Sequence, residues 1–392
     1  MTQLTWSETI GKRVRTGDWA DQAISTVTKI REALAEAGDS FGPKAGRREV
    51  AAQLVDYFME EAKVVYVVYN VWTPGFLQWF TDKGVPQEEV DAEVQRLEQL
   101  LAFTDGGPFD LRARWEALGL RAGRLGNGIR SYDMTVAEAI TELDGVREDW
   151  RQLHDRYADL QAGILAFVAR RFGESAVEDC YRSVLQPYFD ERYGPFDVRT
   201  VPYESTLERN LYISLEAMRG HLVGPGREGD IEIEELDDRW EIKFDPCASG
   251  GRILRGDPDE GTPSRVLEPY EFGVTQEQHP WSWNETGVCY YCAHCNFALS
   301  TLPAESWGHP VRTVDPPLWR GADAPETTRK CVWKVWKSLE AIPEREYERI
   351  GRTKPQLPVI QPAPATMNGN GAAGPAAGVS DPGAGSENLP AG

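Results

Sequence analysis

From about residue 20 to residue 222, apolar side chains return at steps of three and four, the repeat that lines one face of an α-helix. Val50, Leu54 and Phe58 mark one such face after Arg47, and Val90, Val94, Leu97 and Leu101 mark another after Pro86. The clearest runs from Val136 to Phe172, where Leu143, Val146, Trp150, Leu153, Tyr157, Leu160, Ile164 and Phe167 form a stripe suited to packing along a neighbouring helix. Gly173 breaks it, and the next segment aligns Val177, Cys180, Tyr181, Val184 and Tyr188. Ser205 is expected to N-cap a last helix carrying Leu207, Leu211, Leu215, Met218 and Leu222. Short connections between such helices suit an antiparallel helical bundle over residues 1–222.

Beyond Gly224 the period drops to two. Ile231–Leu236 and Arg239–Phe244 alternate on either side of Asp237-Asp238, which predicts a β-hairpin with one buried face. Strands are also expected at Val311–Val314 and Cys331–Trp336. In the latter, Cys331, Trp333 and Val335 share one face while Val332, Lys334 and Trp336 share the other. A short helix is expected near Asn296–Leu302. Residues 223–350 therefore read as a small Cys-rich antiparallel α+β domain, and the chain as a whole as α+β. Pro, Ala and Gly dominate 351–392, which reads as a disordered tail: too few apolar side chains remain to offset the entropy of ordering it.

Composition narrows the function classes. At 392 residues, with 41% hydrophobic and 27% charged side chains, the chain has room for two folded domains. The net charge of -20 repels phosphate backbones and anionic lipid, so neither a nucleic-acid nor a membrane partner is expected. Arg47-Arg48 and Arg121–Arg124 read as solvated helix faces. The most apolar run, Val64–Trp72, is too short to cross a bilayer. The first residues lack the basic end and apolar stretch of a secretory signal, so a cytoplasmic location is expected. Thiols stay reduced there, and clustered cysteines point to metal or catalysis rather than disulfides. The pattern sets no oligomeric state.

Four of the six cysteines are clustered. Cys289-Tyr-Tyr-Cys292-Ala-His-Cys295 places three thiols at two-residue gaps, and Asp245-Pro-Cys247-Ala-Ser-Gly-Gly-Arg252 supplies a fourth just after the hairpin. A tetrahedral zinc site needs four such ligands, with one pair close in sequence so that both sulfurs reach one ion. The same spacing suits a [4Fe–4S] cluster, held by a close triplet and one distant cysteine. Zinc is preferred, since it needs no assembly machinery and would staple a domain of short strands. His294 is a substitute ligand crowded by Cys295. Alternatively, Cys247 is a nucleophile in a glycine-rich loop whose amides bind an anion, with Arg252 holding a carboxylate or phosphate. Cys180 and Cys331 read as core residues.

His221 and His279 stand where the helical and Cys-rich parts are expected to meet, and are the candidate general bases. His154 and His309 read as structural. Trp281, Trp283, Tyr290, Tyr291, Phe297 and Trp307 form a domain core, or line an apolar pocket for a planar ligand beside the metal.

The run Asp245–Arg252, followed by Gly287-Val-Cys289-Tyr-Tyr-Cys292-Ala-His-Cys295, resembles a motif pair of uncharacterised bacterial Cys-rich proteins. A helical lead-in before a Cys-rich α+β module resembles, more loosely, the vinyl-reductase-type small-molecule-binding domain. About 120 residues are covered. The resemblance implies a small organic ligand near a metal or cysteine cluster. The expected function is thus a metal-binding protein, with zinc on Cys247, Cys289, Cys292 and Cys295. A small molecule would sit at the domain junction, in contact with Arg252, His221, His279, Trp281 and Trp283. The alternatives are a [4Fe–4S] redox enzyme on the same cysteines and a non-catalytic scaffold with structural zinc. No dinucleotide or P-loop fingerprint, His-Glu-x-x-His or Gly-x-Ser-x-Gly is present.

Overall fold

The structure is a computed structural model that describes residues 3–356 apart from 40–41, 43–44, 259 and 323–329. The helical periodicities become α1 (Trp19–Ala23), α2 (Thr26–Ala37), α3 (Ala45–Asp82), α4 (Gln87–Leu100), α5 (Leu111–Ser131), α6 (Val136–Phe172), α7 (Ala176–Arg192) and α8 (Leu207–Gly220). The Val64–Trp72 run lies in the middle of α3, which continues through Pro74. Before them a polar hairpin, Leu4–Ser7 paired with Lys12–Arg15, is too short to show in the sequence pattern.

The expected bounds of α6 are met. Thr135 caps it with a full capping box to Glu138, and Gly173 ends it at φ 90°. The stripe on this helix is only part of what is hidden: every residue from Leu153 to Ala166 is buried. The α6 helix is the axis of the molecule, packed by α2, α3, α4, α5 and α7. Ser205 is not the N-cap of α8. It sits in a 3₁₀ turn, Tyr203–Thr206, where its hydroxyl donates to the Pro202 carbonyl at 2.6 Å, so Thr206 takes the cap position.

After α8 come β3 (Glu232–Glu235), β4 (Arg239–Phe244), α9 (Gly250–Arg255), α10 (Ala293–Asn296), α11 (Leu302–Trp307), β5 (Thr313–Asp315), β6 (Cys331–Trp336) and α12 (Glu344–Glu348). The four strands form one antiparallel sheet in the order β3-β4-β6-β5, with Ile242 opposite Trp333 and Phe244 opposite Cys331. The β5 strand starts two residues later than expected, because the Val311 and Arg312 amides are both tied to the Leu299 carbonyl. A π-helical turn, Phe297–Thr301, joins α10 to α11. The fold is α+β. Its helices and its sheet share one contiguous hydrophobic core, from Val27 to Ile350. The expected tail lies, from residue 357, outside the described residues. Among the described residues no helix is long and apolar enough to cross a membrane.

Candidate metal centre

The three clustered cysteines stand on successive local elements. Cys289 ends a loop bridged to Val274, Cys292 closes a 3₁₀ turn (Tyr290–Cys292), and Cys295 lies on α10. Tyr181 of α7 fixes this turn from behind, donating its hydroxyl to the carbonyls of Tyr290 at 3.1 Å and Tyr291 at 3.0 Å. Cys247 arrives from the loop between β4 and α9. Gly250 is what lets the two stretches meet: a Cβ there would lie 2.2 Å from the Cys292 sulfur and 3.5 Å from that of Cys289. Only glycine permits so close an approach.

Cys247, Cys292, Cys295 and Cys331 line one buried cavity of about 30 Å³, together with His221, His294, Trp283 and Trp333. Cys289 stands behind, its sulfur 3.0 Å from that of Cys292. Among the described residues the lining holds no Asp or Glu. The volume exceeds the ~10–15 Å³ that one water needs but is far below the roughly 300 Å³ of an ordinary small-molecule pocket. Among the described residues no three cysteine or histidine ligand atoms at this cavity lie within 4.8 Å of one another. The Cys289 contact raises the Cys292 thiol pKa, as does burial, and burial next to Cys247 raises that of Cys295. Without a metal to displace their protons both remain thiols.

A polar chain leads from the core to this cavity. Asp155, on α6, is clamped by Arg227 at 2.7 Å, Arg151 at 3.3 Å and Arg252 at 3.4 Å. Burial alone would raise its pKa, but Arg227 and Arg252 outweigh that and hold the carboxyl well below the usual range. An ionised carboxylate only accepts, so His154 Nδ1, 2.8 Å away, must donate to it. Burial keeps His154 neutral, leaving Nε2 as an acceptor. His221 Nδ1, at 2.8 Å, therefore carries the proton between them, and its own Nε2 keeps a lone pair. Tyr69 and Tyr291 branch from the same point, Tyr69 to His154 at 3.1 Å and Tyr291 to Tyr69 at 3.2 Å.

Of the residues singled out from sequence, His221 and Trp283 reach the cavity with the cysteines. Arg252, Trp281 and His279 do not line it. Arg252 is 2% exposed and its guanidinium is occupied by Asp159, at 2.5 and 3.1 Å, and the Ala248 carbonyl. His279 stacks on Trp281 at 4.7 Å and bonds Glu174 at 3.0 Å. Glu174, Glu277 and His279 have ligand atoms close enough for one cation, yet the Glu174 carboxylate already accepts from two amides, His279 and Tyr290. It anchors the loop before the triplet. His154, Asp155 and Cys331 were read as bland or passed over. For His154 and Asp155 the available signal was the apolar run Ile164–Val168 that follows them: a helix buried all round must pair every polar side chain it carries.

No family model, curated protein or solved structure matches this chain.

Proposed function

We propose that this chain is a metalloprotein with a [4Fe–4S] cluster on Cys247, Cys289, Cys292 and Cys295, and that it carries out redox chemistry on a small molecule beside the cluster. The observation that carries the proposal is the convergence of thiols from two separate stretches on one buried cavity with no carboxylate in its lining. A mononuclear site with Zn–S bonds of about 2.3 Å needs all four sulfurs within roughly 3.8 Å of one another. Cys289 and Cys292 meet at 3.0 Å, but among the described residues no third cysteine sulfur lies within 4.8 Å of both, and that spread suits thiolates on different irons. The indole N–H groups of Trp283 and Trp333 lack an acceptor among the described residues, and cluster sulfurs would supply one. When bound, such a cluster supplies single electrons.

The chain's own residues supply the rest. His221 presents a lone pair on Nε2 beside the cavity, held in that tautomer by His154 and Asp155, and there accepts or returns a proton. The tryptophans exclude water. Anaerobic purification tests the reading: brown protein with about four irons and four sulfides per chain, bleaching on reduction, is expected. A second reading, one structural zinc on the same thiols, draws support from the 3.0 Å approach of Cys289 to Cys292. It requires colourless protein with one zinc.

A further inference from the structure

Nine arginines are buried among the described residues, and eight of them have a carboxylate oxygen at 3.9 Å or closer. Arg312 is the exception. It is 3% exposed, its Nε has no hydrogen-bond partner, and no carboxylate pairs with it among the described residues. Its guanidinium lies 4.9 Å from the ring centroid of Trp333, a wall of the thiol cavity. The groups that favour its charge are Tyr193, Cys295 and Tyr188. Burial keeps both phenols protonated, so neither supplies an anion. Cys295 is the third, and as a metal ligand its sulfur would carry a negative charge.

A buried, uncompensated guanidinium is strongly destabilising. Every other buried arginine among the described residues is paired. Four thiolates on a zinc ion or a [4Fe–4S] core leave a net negative centre in the same apolar surroundings, short of a positive charge. Each is what the other lacks.

We propose that Arg312 is the built-in counter-ion of the metal–thiolate centre, a positioning residue that holds the centre in place by neutralising its excess negative charge. The inference rests on the metal reading above but holds for zinc as for iron–sulfur. It predicts a reversal of sign. In metal-free protein Arg312 is an unpaired charge, so R312M stabilises the fold; in metal-loaded protein it is paired, so R312M weakens metal retention.

The test uses full-length wild type, R312M and R312K, purified anaerobically, with metal and sulfide counted per chain. Melting temperatures are taken with and without metal, and release to a chelator is timed. Metal-free R312M melting above metal-free wild type, with metal release at least tenfold faster and restored by R312K, supports the assignment. R312M that melts lower in both forms, fails to fold, or releases metal at the wild-type rate overturns it while leaving the metal reading intact. Wild type that folds with no bound metal overturns the metal reading, and the counter-ion role with it.

Discussion

Gly250→Ala tests the approach of the two cysteine stretches most directly. The added methyl would stand 2.2 Å from the Cys292 sulfur but 3.8 Å from the Cys292 Cβ, so the backbone of the triplet is not struck and the sulfur alone must give. An ordinary contact begins near 3.4 Å, so the sulfur must retreat by about 1.2 Å. Metal–sulfur bonds tolerate departures of only about 0.2 Å. Rotating the thiol away relieves the metal-free protein, which is expected to lose only ~1–3 kcal/mol, the usual overpacking range. The same rotation removes a ligand from the centre. Metal release to a chelator should quicken by more than the roughly 10–100-fold seen when only the surroundings of a ligand are altered. Gly251→Ala is the internal control, since its Cβ would meet the Cys247 Cβ at a milder 3.2 Å. The readouts are metal per chain by elemental analysis, visible absorbance and chelator-release rate. G250A with a full metal complement and release within twofold of wild type would refute the close-approach reasoning.

Three further outcomes follow from the same geometry. C247S should purify with most of its metal gone, whereas C331S should keep it, because Cys331 lines the cavity from β6 without belonging to the ligand set; equal metal contents in the two variants would reassign the ligands. Arg252→Ala leaves Asp155 and Asp159 buried with one guanidinium fewer and should destabilise the protein by about 3–5 kcal/mol in denaturant titration; a loss below 1 kcal/mol would show the network relaxes. Acid should weaken the metal-free fold from about pH 6.5 downward. Burial lowers the pKa values of His154 and His221 below the ordinary 6.5, and that of His294 to about 4. Below pH 6.5 the unfolded chain therefore binds more protons than the folded one, and stability falls as pH drops. His294 alone contributes about 3 kcal/mol between pH 6.5 and 4. A flat melting temperature across that window would mean these imidazoles are hydrated.

The elements were legible where local pattern and local caps agreed. The bounds of α6 follow from Thr135-x-x-Glu138 and Gly173, and the period-two alternation marked Arg239–Phe244 and Cys331–Trp336 as strands. Ser205 misled because a serine before an apolar run is only a potential cap; Pro202 drew its hydroxyl into a preceding turn instead. The cysteine spacing showed which thiols belong together. It did not show the Asp155–His154–His221 chain, whose members lie 66 residues apart at the far ends, since 221 and 155 are brought together only by packing α8 on the core. Nor did it show Arg312, buried with no carboxylate beside it among the described residues, which no linear pattern records.

The chain alone determined its long helices, the Glu232–Phe244 hairpin, the Cys331–Trp336 strand and the identity of its clustered thiols, because periodicity and spacing act over a few residues and need no partner. Only the tertiary structure decided that the Leu153–Ala166 stretch of α6 is hidden on every side, that Gly250 gives way to a sulfur, and that one buried guanidinium lacks a carboxylate among the described residues. These depend on distances between segments far apart in sequence. Those distances are set by how side chains fill a shared core, and burial, which decides what a charge or a thiol can do, exists only once that core has closed.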